Sequence, residues 1–291
     1  MKRIRLAVLL LILLASLIAF YYDRQNRVRV ETVQFKSNLI GKTLPYSVVL
    51  PPGYGLITAR NVRYPALYLL HGWGGHYTSW LERTSLAQYA AQYQLIIVMP
   101  EGDNGWYTDS TSVASDKYET YFLQELIPDV DHRYRTIKSR AGRAVAGVSM
   151  GGYGALKFGL KDPDQFTFAG SMSGALDATT RTDDASIMQT FGPLNSSTRE
   201  ANDLNKLARD FPSNRHDALP FFYLDCGTDD PWLASNRELA SIFLEQKIAH
   251  EYRQLPGGHI WPYWDKQVQE VLRIAAERML PPQEFSRTIS N

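Results

Sequence analysis

The stretch AVAGVSMGGYGAL, residues 144–156, decides the fold. It closes an apolar run, RAVAGV, and opens GGYGALKFGL at helical spacing, so strand, sharp turn and helix meet around Ser149. Glycine at 147 and 151 has a mechanical reason: the turn holds the serine in a strained conformation, and a side chain two residues away would collide with neighbouring backbone. The helix beyond points its N-terminal amides toward the serine. In an open α/β sheet the ligand site lies past the carboxyl ends of the strands, and Ser149 sits there.

Working outward, YPALYLLHG, YQLIIVMPEG, RAVAGVS and LPFFYLDCG are short apolar runs that each end at glycine or a polar turn, as strands buried on both faces do. Between them SLAQYAAQYQ, YETYFLQELIPDVDHRY, GYGALKFGLKDP and ASNRELASIFLEQK carry helical spacing. This alternation predicts one doubly wound α/β domain over residues 29–291, with a mostly parallel sheet and helices on both faces. VRVETVQFKS and KTLPYSVVLPPGY alternate like antiparallel strands at its start, and a helix over about residues 263–280 closes it. Residues 177–216, polar and proline-containing, read as an insertion or cap over one end of the sheet.

The chain has 291 residues, 44% of them hydrophobic, with 31 basic and 30 acidic side chains and no long run of like charge. That balance gives no electrostatic reason to expect nucleic acid. Cys226 is the single cysteine, so no internal disulfide can form, and it reads as a small buried hydrophobe in a strand. No Cys/His cluster suggests zinc. The front of the chain differs in character. MKRIR precedes LAVLLLILLASLIAFYY, seventeen uncharged residues from Leu6 to Tyr22. As a helix this run covers about 25 Å, and it predicts a signal anchor: residues 1–28 would form an N-terminal transmembrane helix and juxtamembrane segment, with the membrane as partner through residues 6–22. Tyr21 and Tyr22 suit the membrane interface. The remaining domain would then be exported, or secreted if the leader were cleaved.

A serine hydroxyl is a weak nucleophile that needs a base, and the base needs an orienting carboxylate. Of the six histidines, His216, His250 and His259 follow Ser149. His259, in LPGGHIWPYW, stands on a glycine loop after an apolar strand and can be carried over the serine. The others read as surface residues. For the acid, FFYLDCGTDDPW offers Asp229 and Asp230 after the strand ends at Gly227. One of them can equally cap the helix that follows. An oxyanion would take one amide from Met150 and a second from Trp73 in HGWGG, where Gly72 lets the backbone approach a substrate. His71 abuts the strand end and reads as a structural hydrogen-bonding residue.

LLHGWGGHYTSW, EGDNGWYTDS, YETYFLQELIPDVDHRY, GVSMGGYGAL, CGTDDPW and GGHIWPYW, in this order and at these separations, resemble the putative-esterase family of α/β hydrolases. That family includes feruloyl and other carboxylesterases, S-formylglutathione hydrolases and mycolyltransferases. The resemblance covers about residues 30–280 and implies an α/β-hydrolase fold. It also implies Ser149 as nucleophile, His259 as general base, and Trp73 and Met150 as oxyanion donors. Between the aspartates it favours Asp230, with Asp229 in reserve, because the family's acid usually falls three positions after the strand-ending glycine. Tyr107, Thr108 and Asp109 match a segment that borders the site in relatives, and Glu119–Pro128 matches a structural helix.

All six tryptophans, Trp73, Trp80, Trp106, Trp232, Trp261 and Trp264, lie within about ten residues of one of these motifs. Trp106, Tyr107, Asp109, Trp232 and Trp261 are therefore candidate substrate contacts, suited to aryl or sugar-linked esters, although the same rings can wedge loops against the core. The expected activity is that of a serine carboxylesterase working through an acyl-enzyme, with no metal or organic cofactor. An acyltransferase with the same triad and a non-catalytic binding protein on a hydrolase scaffold are the alternatives.

Overall fold

The computed structural model of the chain describes residues 2–25 and 27–284; for residues 2–8, 21–22 and 24–25 the description stops at the helix they belong to. Strands β1 (Arg29–Val33) and β2 (Tyr46–Leu50) open the fold, followed by the short β3 (Val62–Arg63). Then come β4 (Ala66–Leu70), β5 (Ile96–Pro100), β6 (Arg143–Val148), β7 (Phe168–Met172), β8 (Phe221–Gly227), β9 (His250–Leu255) and the short β10 (Gln283–Glu284). Every residue of β4 to β7 is buried. Runs of this kind need a covering layer on each face, and their side chains divide between the two by alternation. Tyr68 and Leu70 join one core cluster with Val98, Val145 and the helix Met150–Lys161, whereas Leu67 and Leu69 join another with Ile97, Ala146 and the helix Trp261–Arg278.

The eight-stranded sheet has the order β1-β2-β5-β4-β6-β7-β8-β9. β1 pairs antiparallel with β2 and β2 antiparallel with β5, and every pairing from β5 to β9 is parallel. It is thus a mixed, mostly parallel sheet. β3 and β10 form a separate two-stranded antiparallel ribbon. β7, FAGSM, is absent from the sequence reading because Gly170 and Ser171 dilute its apolar pattern. A Cβ on Gly170 would lie 3.0 Å from the Phe168 ring, so the glycine makes room for its neighbour.

The polar segment 177–216 folds into short helices, Ala185–Phe191, Ser197–Ala201 and Leu204–Asp210, and much of its polarity is capping chemistry. Asp184, Ser196 and Asp203 each accept a backbone N–H of the helix they precede. The stretch expected to be helical between 118 and 134 does coil continuously, but it contains a wide π-type turn over Phe122–Leu126, just ahead of Pro128. Proline lacks an N–H and crowds the carbonyl four residues back, which favours such a turn. Cys226 is a buried free thiol on β8, pushed up to about 12 by burial.

The front of the chain requires a correction. The leading run forms the helix Lys2–Gln25, yet among the described residues no helix is long and apolar enough to cross a membrane. Seventeen uncharged residues rise only about 25 Å, against a hydrocarbon core of roughly 30 Å. The predicted transmembrane helix, the membrane partnership of residues 6–22, and the membrane-anchored placement built on them are overturned together. The side chains of residues 6–8, Tyr21 and Tyr22, which the anchor reading used, lie outside the described residues.

Candidate active site

β6 ends at Val148, and Ser149 turns the chain into the helix Met150–Lys161 with φ +55° and ψ −118°. A non-glycine residue in the left-handed half of φ space costs about 1–3 kcal/mol and persists only when its surroundings hold it. Here the Ser149 N–H donates to Met172 O at 3.0 Å, while its carbonyl accepts from Tyr153 N at 3.0 Å and Ala175 N at 3.1 Å. The flanking glycines are sterically required. A Cβ on Gly147 would stand 2.5 Å from the Gly151 backbone, and one on Gly151 would stand 2.6 Å from the carbonyl oxygens of Leu70 and His71.

His259 reaches this serine from the loop after β9, where Gly257 takes φ +145°. Its Nε2 lies 3.0 Å from Ser149 Oγ and its Nδ1 lies 3.0 Å from Asp230 Oδ2. A carboxylate only accepts, so Nδ1 carries the proton and Nε2 is left to accept from the serine hydroxyl. Asp230 is 5% exposed, and its other oxygen accepts the Trp232 N–H at 2.9 Å. Burial pushes this carboxyl up, but the hydrogen bonds from His259 and Trp232 outweigh it and hold the group below the ordinary carboxylate range. Asp229 is exposed and contributes backbone alone, donating its N–H to Gly257 O at 2.9 Å. That bond ties the acid loop to the histidine loop.

The end of β4 lies alongside. A Cβ on Gly72 would sit 3.2 Å from Ser149 Cβ, so a side chain here would press on the serine. The backbone N–H groups of Trp73 and Met150 take no protein acceptor among the described residues. His71 is buried beneath them, with Nδ1 2.8 Å from Gly72 O and Nε2 accepting the Gly102 N–H at 2.9 Å. Both of its nitrogens are therefore occupied in holding two loops together.

Two cavities open onto Ser149 and His259. One, of 180 Å³, is walled by Gly72, Trp73, Arg83, Trp261 and Trp264. The other, of 330 Å³, is walled by Trp73, Trp106, Arg181, Asp183, Ile187 and Trp232. Trp106, Trp232 and Trp261 thus line the two cavities. Tyr107 and Asp109 do not. Tyr107 is buried, donates to His71 O at 3.1 Å and fills the space left by Gly102 and Gly154. Asp109 accepts from Glu119 N and Thr120 N, both at 3.0 Å, and so caps the helix that follows. Trp80 is fully buried, its indole N–H on Leu70 O at 3.1 Å.

The sequence reads 177–216 as an insertion or cap over one end of the sheet but does not single out Arg181–Ile187 within it as cavity-lining. The only local signal there is Asp184 as an N-cap, which announces a helix and nothing about a cavity whose other walls come from distant segments of the chain. Among the described residues, no cluster of three or more His, Cys, Asp or Glu side chains could hold a metal ion.

A serine at a strand-to-helix turn of a mostly parallel sheet, with a histidine and a carboxylate delivered by loops after later strands, defines the α/β-hydrolase class of serine hydrolases. Within that class the chain belongs to the family described as Putative esterase, whose profile matches residues 37–274. It is 30% identical over 257 residues to an acetyl esterase of Caldicellulosiruptor saccharolyticus, covering 81% of this chain and 94% of that one. Among solved structures it resembles a ferulic acid esterase, with 27% identity, 88% and 99% of the two chains covered and a TM-score of 0.77. It also resembles the fluorophosphonate-binding serine hydrolase F of Staphylococcus aureus, with 25% identity, 86% and 99% coverage and a TM-score of 0.77.

Proposed function

We propose that Ser149, His259 and Asp230 form the triad through which this chain cleaves carboxylic esters. The chain is a serine hydrolase acting on carboxylic ester bonds. In the proposed mechanism Ser149 Oγ attacks the ester carbonyl carbon while its proton passes to His259 Nε2. The Asp230 carboxylate keeps Nδ1–H in place and stabilises the imidazolium that results. Negative charge developing on the carbonyl oxygen is met by the Trp73 and Met150 amides, whose lack of a protein acceptor supports that role. The tetrahedral intermediate collapses, the alcohol leaves with the proton from His259, and water, deprotonated by His259, releases the acid and restores the serine.

The observation that carries this reading is the relay of two 3.0 Å contacts on a strained serine. The two cavities that meet at Ser149 suit the two halves of an ester, and their indole walls favour an aryl or sugar-linked group in one of them. We read residues 29–291 as the single catalytic unit. The test is labelling with a fluorophosphonate probe together with hydrolysis of simple esters: wild type reacts and turns over, and Ser149→Ala does neither. Equal labelling of the two would sink the assignment. Running the same turnover with an added polyol separates water from an alcohol as acceptor, and ester products outweighing free acid would make the chain an acyltransferase.

A further inference from the structure

In the insertion that roofs the 330 Å³ cavity, one hydroxyl serves the indole N–H groups of two of its tryptophans. Ser186 Oγ accepts the indole N–H of Trp73 at 3.1 Å and that of Trp106 at 2.9 Å. Its own proton goes to Asp184 Oδ1 at 2.5 Å. A serine hydroxyl has one donor and two acceptor sites, so all its capacity is used. Asp184 is fixed in turn, because the same oxygen accepts Ser186 N at 2.7 Å and Ile187 N at 3.1 Å as the cap of the helix Ala185–Phe191.

The two indoles need this acceptor to different degrees. Trp106 is 4% exposed and packs edge-on against Tyr153 and Phe191 at 5.9 and 6.1 Å. Trp73 is 56% exposed and precedes Gly74, which adopts φ +69°. Its indole N–H bond to Ser186 is the polar contact that holds this half-free ring against the roof. Trp232 completes the wall, with the Arg181 guanidinium 4.7 Å from its ring centre.

We propose that Ser186 is a specificity-determining positioning residue, whose hydroxyl sets the spacing of the Trp73 and Trp106 walls and so selects esters carrying a bulky group that fills the larger cavity. The inference rests on the reading of Ser149 as nucleophile, and the experiment keeps the two apart. Wild type, Ser186→Ala and Ser186→Thr are first titrated with a fluorophosphonate probe to count reactive Ser149. Then kcat and KM are measured for methyl cinnamate and phenyl acetate, each against methyl acetate, which varies the acyl and the alcohol side separately.

Losing an acceptor shared by two donors is expected to lower kcat/KM of the bulky ester about tenfold relative to methyl acetate in one of the two series. The loss should fall mainly on KM and should be restored by Ser186→Thr, which keeps the oxygen. A general loosening of the fold would depress bulky and small esters together. Bulky-to-small ratios that stay within about twofold of wild type in both series, with labelling intact, overturn the role of Ser186 alone. So does a Ser186→Thr variant that behaves like Ser186→Ala. Failure of wild type to label overturns the nucleophile, and the inference with it.

Discussion

At the scale of single residues the candidate site turns on one choice between neighbours. Asp229 and Asp230 are chemically identical, but Asp230 is buried with one oxygen on His259, whereas Asp229 is exposed and contributes only backbone. Asp230→Asn leaves the shape of the site and offers the imidazole an amide that can donate to Nδ1, favouring the wrong tautomer. It is expected to lower kcat by roughly 10³- to 10⁴-fold. Asp229→Ala is expected to change kcat/KM by less than about threefold, since the bond to Gly257 O needs only the backbone. Steady-state kinetics on the two variants with one simple ester decides the matter, and a larger loss in Asp229→Ala would reverse the assignment. The strained Ser149 was legible in the sequence because strain of this kind writes itself as glycine at 147 and 151.

At the scale of elements, the helix Met150–Lys161 is fastened by charge in an apolar setting. Lys157 is fully buried and donates to Tyr107 O at 2.5 Å, Thr108 Oγ1 at 2.8 Å and Glu119 Oε2 at 2.6 Å. It thereby fixes the segment in which Trp106 and Tyr107 both hold positive φ. Burial pushes the Glu119 carboxyl up, but the ammonium groups of Lys157 and Lys161 prevail and hold it at about 2. Glu119→Gln leaves a buried ammonium without its counter-ion and is expected to cost about 3–5 kcal/mol in urea-induced unfolding. A loss below about 1 kcal/mol would show that the chain does not depend on this buried pair.

A second tie joins β8 to the helix Trp261–Arg278, where Tyr263 OH donates to the wholly buried Asp225 at 3.0 Å. The Tyr263 ring also packs against the histidine loop, since a Cβ on Gly257 would lie 2.5 Å from it. Burial raises the Asp225 carboxyl to about 7, against the lowering effect of the tyrosine hydrogen bonds. Between its ordinary carboxylate value and 7 the folded chain holds a proton that the unfolded chain has lost, so this group's contribution to stability falls as pH rises through that window. Comparing unfolding free energies of wild type and Asp225→Asn from pH 5 to 8 should show wild type losing ground up to about pH 7 and running parallel above it. A constant difference across the range would contradict the raised value.

At the scale of the molecule, one sheet carries both core clusters and the site. The described side chains of the leading helix, Leu9 to Leu14, Leu17, Ile18 and Phe20, are exposed. A chain starting at Val28, which packs against the core, is therefore expected to keep kcat/KM within about twofold and its unfolding midpoint within about 2 °C. A larger drop in either, measured beside the full chain, would give that helix a part in the fold.

By itself, the sequence determined the alternation of buried strands and helices, the serine at a strand-to-helix turn, and the histidine on a glycine loop. All three are written in local patterns: side-chain periodicity, and the steric demand that only glycine meets at a sharp turn. Only the tertiary structure decided which aspartate faces His259, and that Asp109 and Tyr107 support loops while Arg181 reaches the cavity and Ser186 bonds the indoles that wall it. Those outcomes depend on which strand edges pair and which loops meet at the carboxyl end of the sheet. The partners are 29 residues apart for His259 and Asp230, 110 for His259 and Ser149, and 113 for Trp73 and Ser186. No short-range pattern records contacts between groups that packing alone brings together.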